Sequence, residues 1–277
     1  MFDWLFKKNN SEEIVTDVKP TQDWSNFDKI TNYLYDESGI IDLEKRALSS
    51  LRIKHYAIEN RIYTTYELLE SLKDKGKIYQ DIINIATVNE TYFLRELKEL
   101  NWLVEYIKNS DKNLKILSMP CSSGEEIYSI LLLMLQNDIP LDKIELIGYD
   151  INSQMIQKAK EAIYYEHSLH SVSNDLREKY FIKLNDKQFK LKDFITLHTT
   201  FKQQNIFEID TDKESYDIIL SRNMLIYFDE KKRNEAVSII SKMLNDGGIF
   251  LKGHADNISL GDNLKNIAHG VYKLQSF

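Results

Sequence analysis

Cysteine, proline and glycine are all scarce in this chain. A single cysteine, Cys121, among 277 residues excludes an intrachain disulfide framework and any multi-cysteine zinc site. Three prolines and nine glycines exclude the collagen-like and proline-linker classes. No uninterrupted apolar run reaches the roughly 18 residues of a membrane helix, so no membrane insertion is expected. The opening MFDWLFKKNN has too short an apolar stretch for a secretory signal and lacks a small-residue cleavage site, which makes the cytoplasm the expected location. A basic surplus is missing too. With 36 basic against 43 acidic residues the formal charge is -7, which argues against wrapping nucleic acid on a broad basic face, and no nucleic-acid partner is expected. The six histidines are scattered, only His167 and His170 lying close together, so no metal is expected from ligand spacing.

What is present is the composition of a soluble globular chain, 43% hydrophobic and 29% charged. The polar, acidic stretch ahead of Trp24 reads as a flexible arm over 1–23. From 24 to 108 the apolar spacing is helical. Phe27, Ile30 and Leu34 form a first helix closed by Gly39, and Leu43, Ala47, Leu48 and Leu51 a second after a cap at Asp42. Tyr66, Leu68, Leu69 and Leu72 after Thr65 give a third, ended by Gly76, and Ile78, Ile82, Ile83 and Ile85 a fourth.

From 109 to 277 short apolar runs alternate with helical stretches, the pattern of a doubly wound parallel α/β sheet. Strands are expected at Leu114 to Met119, Ile144 to Tyr149, Ile195 to Phe201, Tyr216 to Leu220, Ile249 to Lys252 and Val271 to Leu274. Helices are expected at Glu126 to Gln136, Ser153 to Tyr164 and Glu230 to Leu244. One stretch departs from the alternation: a helix over Asn174 to Phe181 leads into a small β-hairpin insertion near 181–201, with Asn185-Asp186 at its turn.

In an open α/β sheet, ligands bind beyond the carboxyl ends of the strands. The loop Met119-Pro120-Cys121-Ser122-Ser123-Gly124-Glu125-Glu126 follows the first strand, and its two carboxylates at a helix start would repel a phosphate. A cationic or hydroxyl-bearing ligand suits it better. Asp150 after the second strand can accept both hydroxyl hydrogens of a ribose, or simply cap the next helix. Gln204-Asn205-Ile206 and Ser221-Arg222-Asn223 bring amides to the same mouth. Carboxylates, amides and an apolar rim together suit an adenosyl ligand carrying a positive sulfur, S-adenosyl-L-methionine. Cys121 abuts this loop and reads as a buried structural thiol.

The motifs then become specific. Three segments, Ser122 to Ser129, Ser221 to Asp229 and Thr87 to Arg95, resemble motifs of the CheR-type chemoreceptor glutamate methyltransferases. Ser122-Ser123-Gly124-Glu125-Glu126-Ile127-Tyr128-Ser129 is similar to the family's S-T-G-E-E-P-Y-S. Ser221-Arg222-Asn223-Met224-Leu225-Ile226-Tyr227-Phe228-Asp229 is similar to its C-R-N-V-L-I-Y-F-D, and Thr87-Val88-Asn89-Glu90-Thr91-Tyr92-Phe93-Leu94-Arg95 to its T-x-N-x-T-x-F-x-R. A fourth match runs from Gly248 to His254, although Met119-Pro120 and His254-Ala255-Asp256 depart from the family's usual residues.

The resemblance implies a class I S-adenosylmethionine-dependent methyltransferase sheet, Rossmann-like, whose last strand is antiparallel and over which an N-terminal all-helical domain packs. It implies cofactor contacts from Asn89, Thr91, Arg95, Glu126, Asp150, Asn205, Ile206, Arg222 and Asn223, with Glu125 an alternative to Glu126. The implied reaction gives S-adenosyl-L-homocysteine and a glutamate methyl ester on the cytoplasmic helical region of chemotaxis receptors. Tyr227, with Arg95 as its partner, is the candidate for orienting the reacting groups. Lys45, Arg46 and Arg52 form a basic edge, because seven helical residues turn through roughly 700° and bring Lys45 and Arg52 almost into line. The resemblance implies that this edge meets the acidic receptor. Whether the hairpin takes a receptor tail peptide stays open. The rival readings are a non-catalytic cofactor-binding sensor or scaffold, and a methyltransferase for another substrate.

Overall fold

A computed structural model describes residues 21–40, 47–256 and 263–275. The expected arm therefore falls almost wholly outside the described residues, as do Asp42, Leu43, Lys45 and Arg46. Among the described residues, no helix is long and apolar enough to cross a membrane.

Five helices come first among the described residues: α1 (Asp28–Ser38), α2 (Ala47–Glu59), α3 (Thr65–Leu72), α4 (Lys77–Ala86) and α5 (Leu97–Lys108). The third starts on a reciprocal cap. Thr64, not Thr65, accepts from the Glu67 N–H at 3.1 Å, while the Glu67 carboxylate accepts the Thr64 N–H at 3.0 Å. A cap of this kind is worth about 1 kcal/mol. Gly76 does not end α3 but precedes α4.

In α2 the apolar period holds on a different face. Ile53 and Ala57 are buried, whereas Leu48 and Leu51 point outward, 72% and 64% exposed. Phe27, Ile30, Leu34, Ile53, Leu68, Leu72, Ile82 and Ile83 close a separate core for the first four helices. The fifth belongs elsewhere: Leu100, Leu103, Val104 and Ile107 join the core of the sheet.

The chain continues through β1 (Leu114–Ser118), α6 (Glu125–Gln136), β2 (Ile144–Asp150), α7 (Ser153–Glu161), β3 (Ile163–Tyr165), α8 (Asn174–Tyr180), β4 (Phe181–Lys183), β5 (Gln188–Leu191), α9 (Asp193–Thr196) and β6 (Thr199–Gln203). It ends with β7 (Tyr216–Ser221), α10 (Glu230–Met243), β8 (Leu244–Lys252), β9 (Leu264–Ala268) and β10 (Val271–Leu274). The main sheet runs β6-β2-β1-β7-β8-β10-β9. Its first five strands are parallel, and β10 is antiparallel to both neighbours, as expected for the last strand. The order reverses direction at β1, so the topological switch lies beside the carboxyl end of that strand.

Three expectations need correction. The helix expected to reach Tyr164 stops at Glu161, where Ala162 turns left-handed at φ 52° and Ile163–Tyr165 pairs antiparallel with β5. The insertion is consequently a three-stranded sheet, β3-β5-β4, that begins before the hairpin. Ile195 is not the start of a strand: it sits on the short α9, fully buried in the core, and β6 begins at Thr199. The edge strand β9 carries three exposed residues in its middle, an alternation too weak to read as a strand.

A polar seam fixes the helical layer over the carboxyl ends of the strands. Gln80 Nε2 donates to the Ile151 carbonyl at 3.0 Å, and Asn84 exchanges bonds of 3.0 Å with Ser153. Asn152 Nδ2 donates to Thr87 Oγ1 at 2.7 Å, and the Tyr35 hydroxyl to Asp229 at 2.7 Å. The cleft beneath this seam is where the sequence placed its ligand.

Candidate active site

Two connected lobes of about 110 and 170 Å³ open between the helical layer and the strand ends. The first is mostly apolar, walled by Ile40, Ala86, Val88, Met119, Ile151, Ile206, Met224 and Phe228, with Asp150, Asn205, Asn223 and Tyr227 at its polar side. The second is polar, with Asn89, Thr91, Arg95, Glu126, Asp150, Arg222, Asn223 and Tyr227. All ten cleft residues singled out from the sequence are thus brought together from five separate segments. Arg52 is not among them: it lies exposed on α2, away from both lobes.

Asp150 joins the lobes. It ends β2, buried, and its two oxygens accept the N–H groups of Ser122 and Asn152, each at 2.8 Å. Burial pushes its carboxyl up to about 6 against these bonds, which favour the charged form. Each carboxylate oxygen keeps a lone pair for a further donor.

Of the two adjacent glutamates, Glu126 faces the cleft. Its Oε1 accepts from the Ser118 hydroxyl at 2.8 Å and its Oε2 from Arg222 at 2.6 Å. Glu125 turns away, bonded by the Ser123 hydroxyl at 2.8 Å, and its carboxyl is raised by burial.

Arg222 has most of its donors committed. Besides Glu126 it reaches Glu96 Oε2 through Nε and a terminal nitrogen at 3.3 and 3.1 Å, and the Arg95 carbonyl at 2.6 Å. Burial alone would weaken its charge, but Glu126 and Glu96 outweigh that and hold the guanidinium firmly protonated. Arg222 therefore acts chiefly by holding Glu126 and the Arg95–Glu96 backbone in place. Arg95 is less confined: its guanidinium donates to the Glu90 carbonyl at 2.8 Å and lies 5.8 Å from the Tyr92 ring centre.

The Asn205 side chain is bonded within the protein: its amide donates to the Glu37 carbonyl at 2.8 Å, while its oxygen caps the Phe207 N–H at 3.1 Å. The side chain joins the helical layer to the sheet, which leaves the backbone edge of Asn205–Ile206 to meet a ligand.

Two functional residues escaped the sequence reading. Glu96 pairs with Arg222 from the start of α5, in a left-handed conformation at φ 52° that no local pattern announces. Asp256, one of the departures from the family pattern, is fully buried. It accepts from the N–H groups of Asn223 at 2.7 Å, Ile226 at 3.1 Å and Gly253 at 3.1 Å, and so shapes the turn that presents Tyr227. Burial raises its carboxyl despite those bonds. The signal available was its type alone: an acidic residue just after the fifth parallel strand.

The lining fits an adenosyl sulfonium ligand on its own chemistry. Ser122 Oγ and Asn223 Nδ2 are buried with no hydrogen-bond partner, both on cleft residues, and an apolar lobe adjoins the paired acceptors of Asp150. Cys121 is buried beside the loop, and burial, with Asp150 and Glu126 nearby, pushes its thiol well above the usual range, which disfavours a nucleophilic thiolate.

Comparison with known proteins agrees with this geometry. Residues 89–272 match the family model of the CheR methyltransferase, SAM binding domain. The chain is 35% identical over 249 residues to a chemotaxis protein methyltransferase of Campylobacter jejuni, spanning 89% of this chain and 93% of that protein. It is 33% identical over 266 residues to chemotaxis protein methyltransferase 2 of Vibrio cholerae, spanning 90% and 88%. With the chemotaxis protein methyltransferase of Escherichia coli it shares 24% over 259 residues, 85% of each chain. The chain belongs to the CheR methyltransferase family and is an S-adenosylmethionine-dependent methyltransferase of α/β fold.

Proposed function

We propose that this enzyme transfers a methyl group to glutamate side chains on the cytoplasmic helical region of chemotaxis receptors, giving methyl esters. The observation that carries the reading is Asp150: a buried carboxylate, held by two backbone N–H groups, stands at the junction of an apolar lobe and a polar one. In that position it takes the two ribose hydroxyls. The apolar lobe with the Asn205–Ile206 backbone edge then takes the adenine, and the polar lobe the methionyl end. There Arg95 offers a fork to the carboxylate, and Glu126 a counter-charge to the ammonium, steadied by Ser118 and Arg222. Asn89, Thr91 and Asn223 supply the remaining polar contacts.

The bound donor supplies an electrophilic methyl on a cationic sulfur. The acceptor needs no base, because a glutamate with an ordinary pKa near 4.3 is already ionised at neutral pH. Transfer of that methyl to the acceptor oxygen would leave the electron pair on sulfur, neutralise both charges and require no proton movement. What the chain contributes is alignment and removal of water from the two charges. Tyr227 lines both lobes, and it is the candidate for orienting the acceptor carboxylate against the donor methyl. The basic edge of α2, with Arg52 exposed on it, faces an acidic partner through long-range attraction. The reaction takes place in the cytoplasm, where the receptor's helical region lies.

Transfer of labelled methyl from S-adenosylmethionine to a receptor cytoplasmic fragment tests the reading. Label is expected on the receptor, in a form released by mild alkali as an ester requires. Cofactor binding without transfer would assign a sensor or scaffold instead, and equal turnover with receptor omitted would assign another substrate.

A further inference from the structure

Outside the cleft, three residues far apart in sequence converge. Glu99 sits in the first turn of α5, His254 just beyond β8, and His269 in the turn between β9 and β10. Glu99 Oε1 lies 2.6 Å from His254 Nε2 and 2.8 Å from His269 Nδ1, and all three atoms fall within 4.8 Å of one another. The imidazoles meet edge to face, ring centres 4.9 Å apart. None of the three lines either lobe of the cleft.

We propose that Glu99, His254 and His269 form a binding site for a first-row divalent cation, zinc foremost, that clasps the β9–β10 turn and the end of β8 to helix α5. Two imidazole nitrogens with one carboxylate are the donor set that zinc takes with an open coordination position, whereas magnesium and calcium favour sites made of oxygen alone. Ligand atoms about 3.3 Å apart suit zinc bonds of 2.0–2.2 Å, so the two Glu99–histidine contacts, at 2.6 and 2.8 Å, need to widen by about 0.5–0.7 Å.

A second observation points independently to a missing ligand. Glu99 is 2% exposed, and while its Oε1 serves both imidazoles, its Oε2 is buried with no hydrogen-bond partner. A carboxylate oxygen stripped of water and left unpaired is costly, and a cation shared across the carboxylate removes that cost. The imidazoles open onto a surface cavity of about 410 Å³, through which a hydrated ion can enter. Lys252 also lines that cavity, but its ammonium is held at 2.6 Å on the Asp256 carbonyl. Close packing of the turn depends on Gly270: at φ +70° a Cβ there would meet the Lys252 carbonyl oxygen at 3.2 Å and the Glu99 side chain at 3.5 Å.

The site also touches the machinery of the cleft. The His254 N–H donates to Glu96 Oε2 at 3.2 Å, and Glu96 is the carboxylate that pairs with Arg222. A cation that fixes His254 thus fixes a residue bonded to that pair.

The test uses the untagged full chain, stripped with chelator and titrated calorimetrically with zinc chloride. One equivalent is expected to bind, unaffected by millimolar magnesium, with affinity at least tenfold weaker in both His269→Gln and His254→Gln. His269 is 78% exposed in its side chain, so its replacement leaves the folded chain intact. X-ray absorption of the zinc form is expected to report two imidazoles and a carboxylate, and the thermal midpoint is expected to rise with zinc in the native chain but not in the variants. Absence of saturable binding would overturn the proposal and leave a hydrogen-bonded triad. Binding retained at full strength in both variants would equally overturn it, because the ion would then sit elsewhere.

Discussion

Lowering pH should loosen cofactor binding through one carboxyl. Burial pushes the Asp150 carboxyl up from an ordinary 3.8 to about 6, and its two oxygens already accept one N–H each. At roughly 1.4 kcal/mol per unit, keeping it ionised in the ligand-free protein costs about 3 kcal/mol at neutral pH. Ribose hydroxyls donate, so they recover part of that cost only while the group is charged.

Protonation converts one acceptor into a donor. About 99% of Asp150 is ionised at pH 8, half at pH 6 and about one molecule in eleven at pH 5. The dissociation constant for S-adenosylhomocysteine should therefore rise about twofold at pH 6 and about tenfold at pH 5, measured by calorimetry at constant ionic strength. Asp150→Asn should bind weakly at every pH and lose the step. A flat native profile between pH 8 and 5, or the same step in Asp150→Asn, would refute the assignment. The same shift predicts a stability trend of definite sign. The contribution of a raised carboxyl is fully present below the unfolded pKa and is lost as pH rises through the folded one. Native ligand-free protein should accordingly lose up to about 3 kcal/mol relative to Asp150→Asn as pH rises from about 4 through 6.

Tyr227→Phe should lower kcat by about tenfold or more at saturating cofactor while leaving S-adenosylhomocysteine affinity within about twofold, as expected of a hydroxyl that positions reacting groups. Glu96→Gln leaves the Arg222 charge, 3% exposed, with one carboxylate fewer; it should destabilise the protein by about 1–3 kcal/mol in urea titration, and full stability would mean the pair is incidental. Gly253→Ala places a Cβ 2.7 Å from the Asn223 backbone nitrogen, so the turn carrying Tyr227 must shift, and turnover should fall more than thermal stability does. Charge reversal at Arg52, alone or with Lys45 and Arg46, should raise KM for receptor with kcat unchanged, and the difference should shrink in high salt.

Four of the five parallel strands, β1, β2, β7 and β8, were legible because each carries a short, nearly continuous apolar run followed by a polar loop, which is what burial on both faces demands, whereas β6 is largely polar. The cleft was legible for the same reason: strand ends and motif residues fix where side chains such as Asp150, Glu126 and Asn223 emerge. What escaped were relations between distant segments. Glu96 pairs with Arg222 across 126 positions and Asp256 with Ile226 across 30, Asn205 had its side chain taken by a helix carbonyl, and Glu99 meets His254 and His269 across 155 and 170 positions. Strand β3 escaped for a local reason, since Ile163-Tyr164-Tyr165 continues the apolar period of α7 and only the left-handed Ala162 breaks it.

A crystal of the protein grown with S-adenosylhomocysteine tests the central claim most directly. The ribose hydroxyls should lie within hydrogen-bonding distance of Asp150, with the adenine in the lobe walled by Ile206 and Phe228 and the amino-acid end beside Arg95 and Glu126. Ligand density elsewhere, or an empty cleft at saturating ligand, would contradict the account.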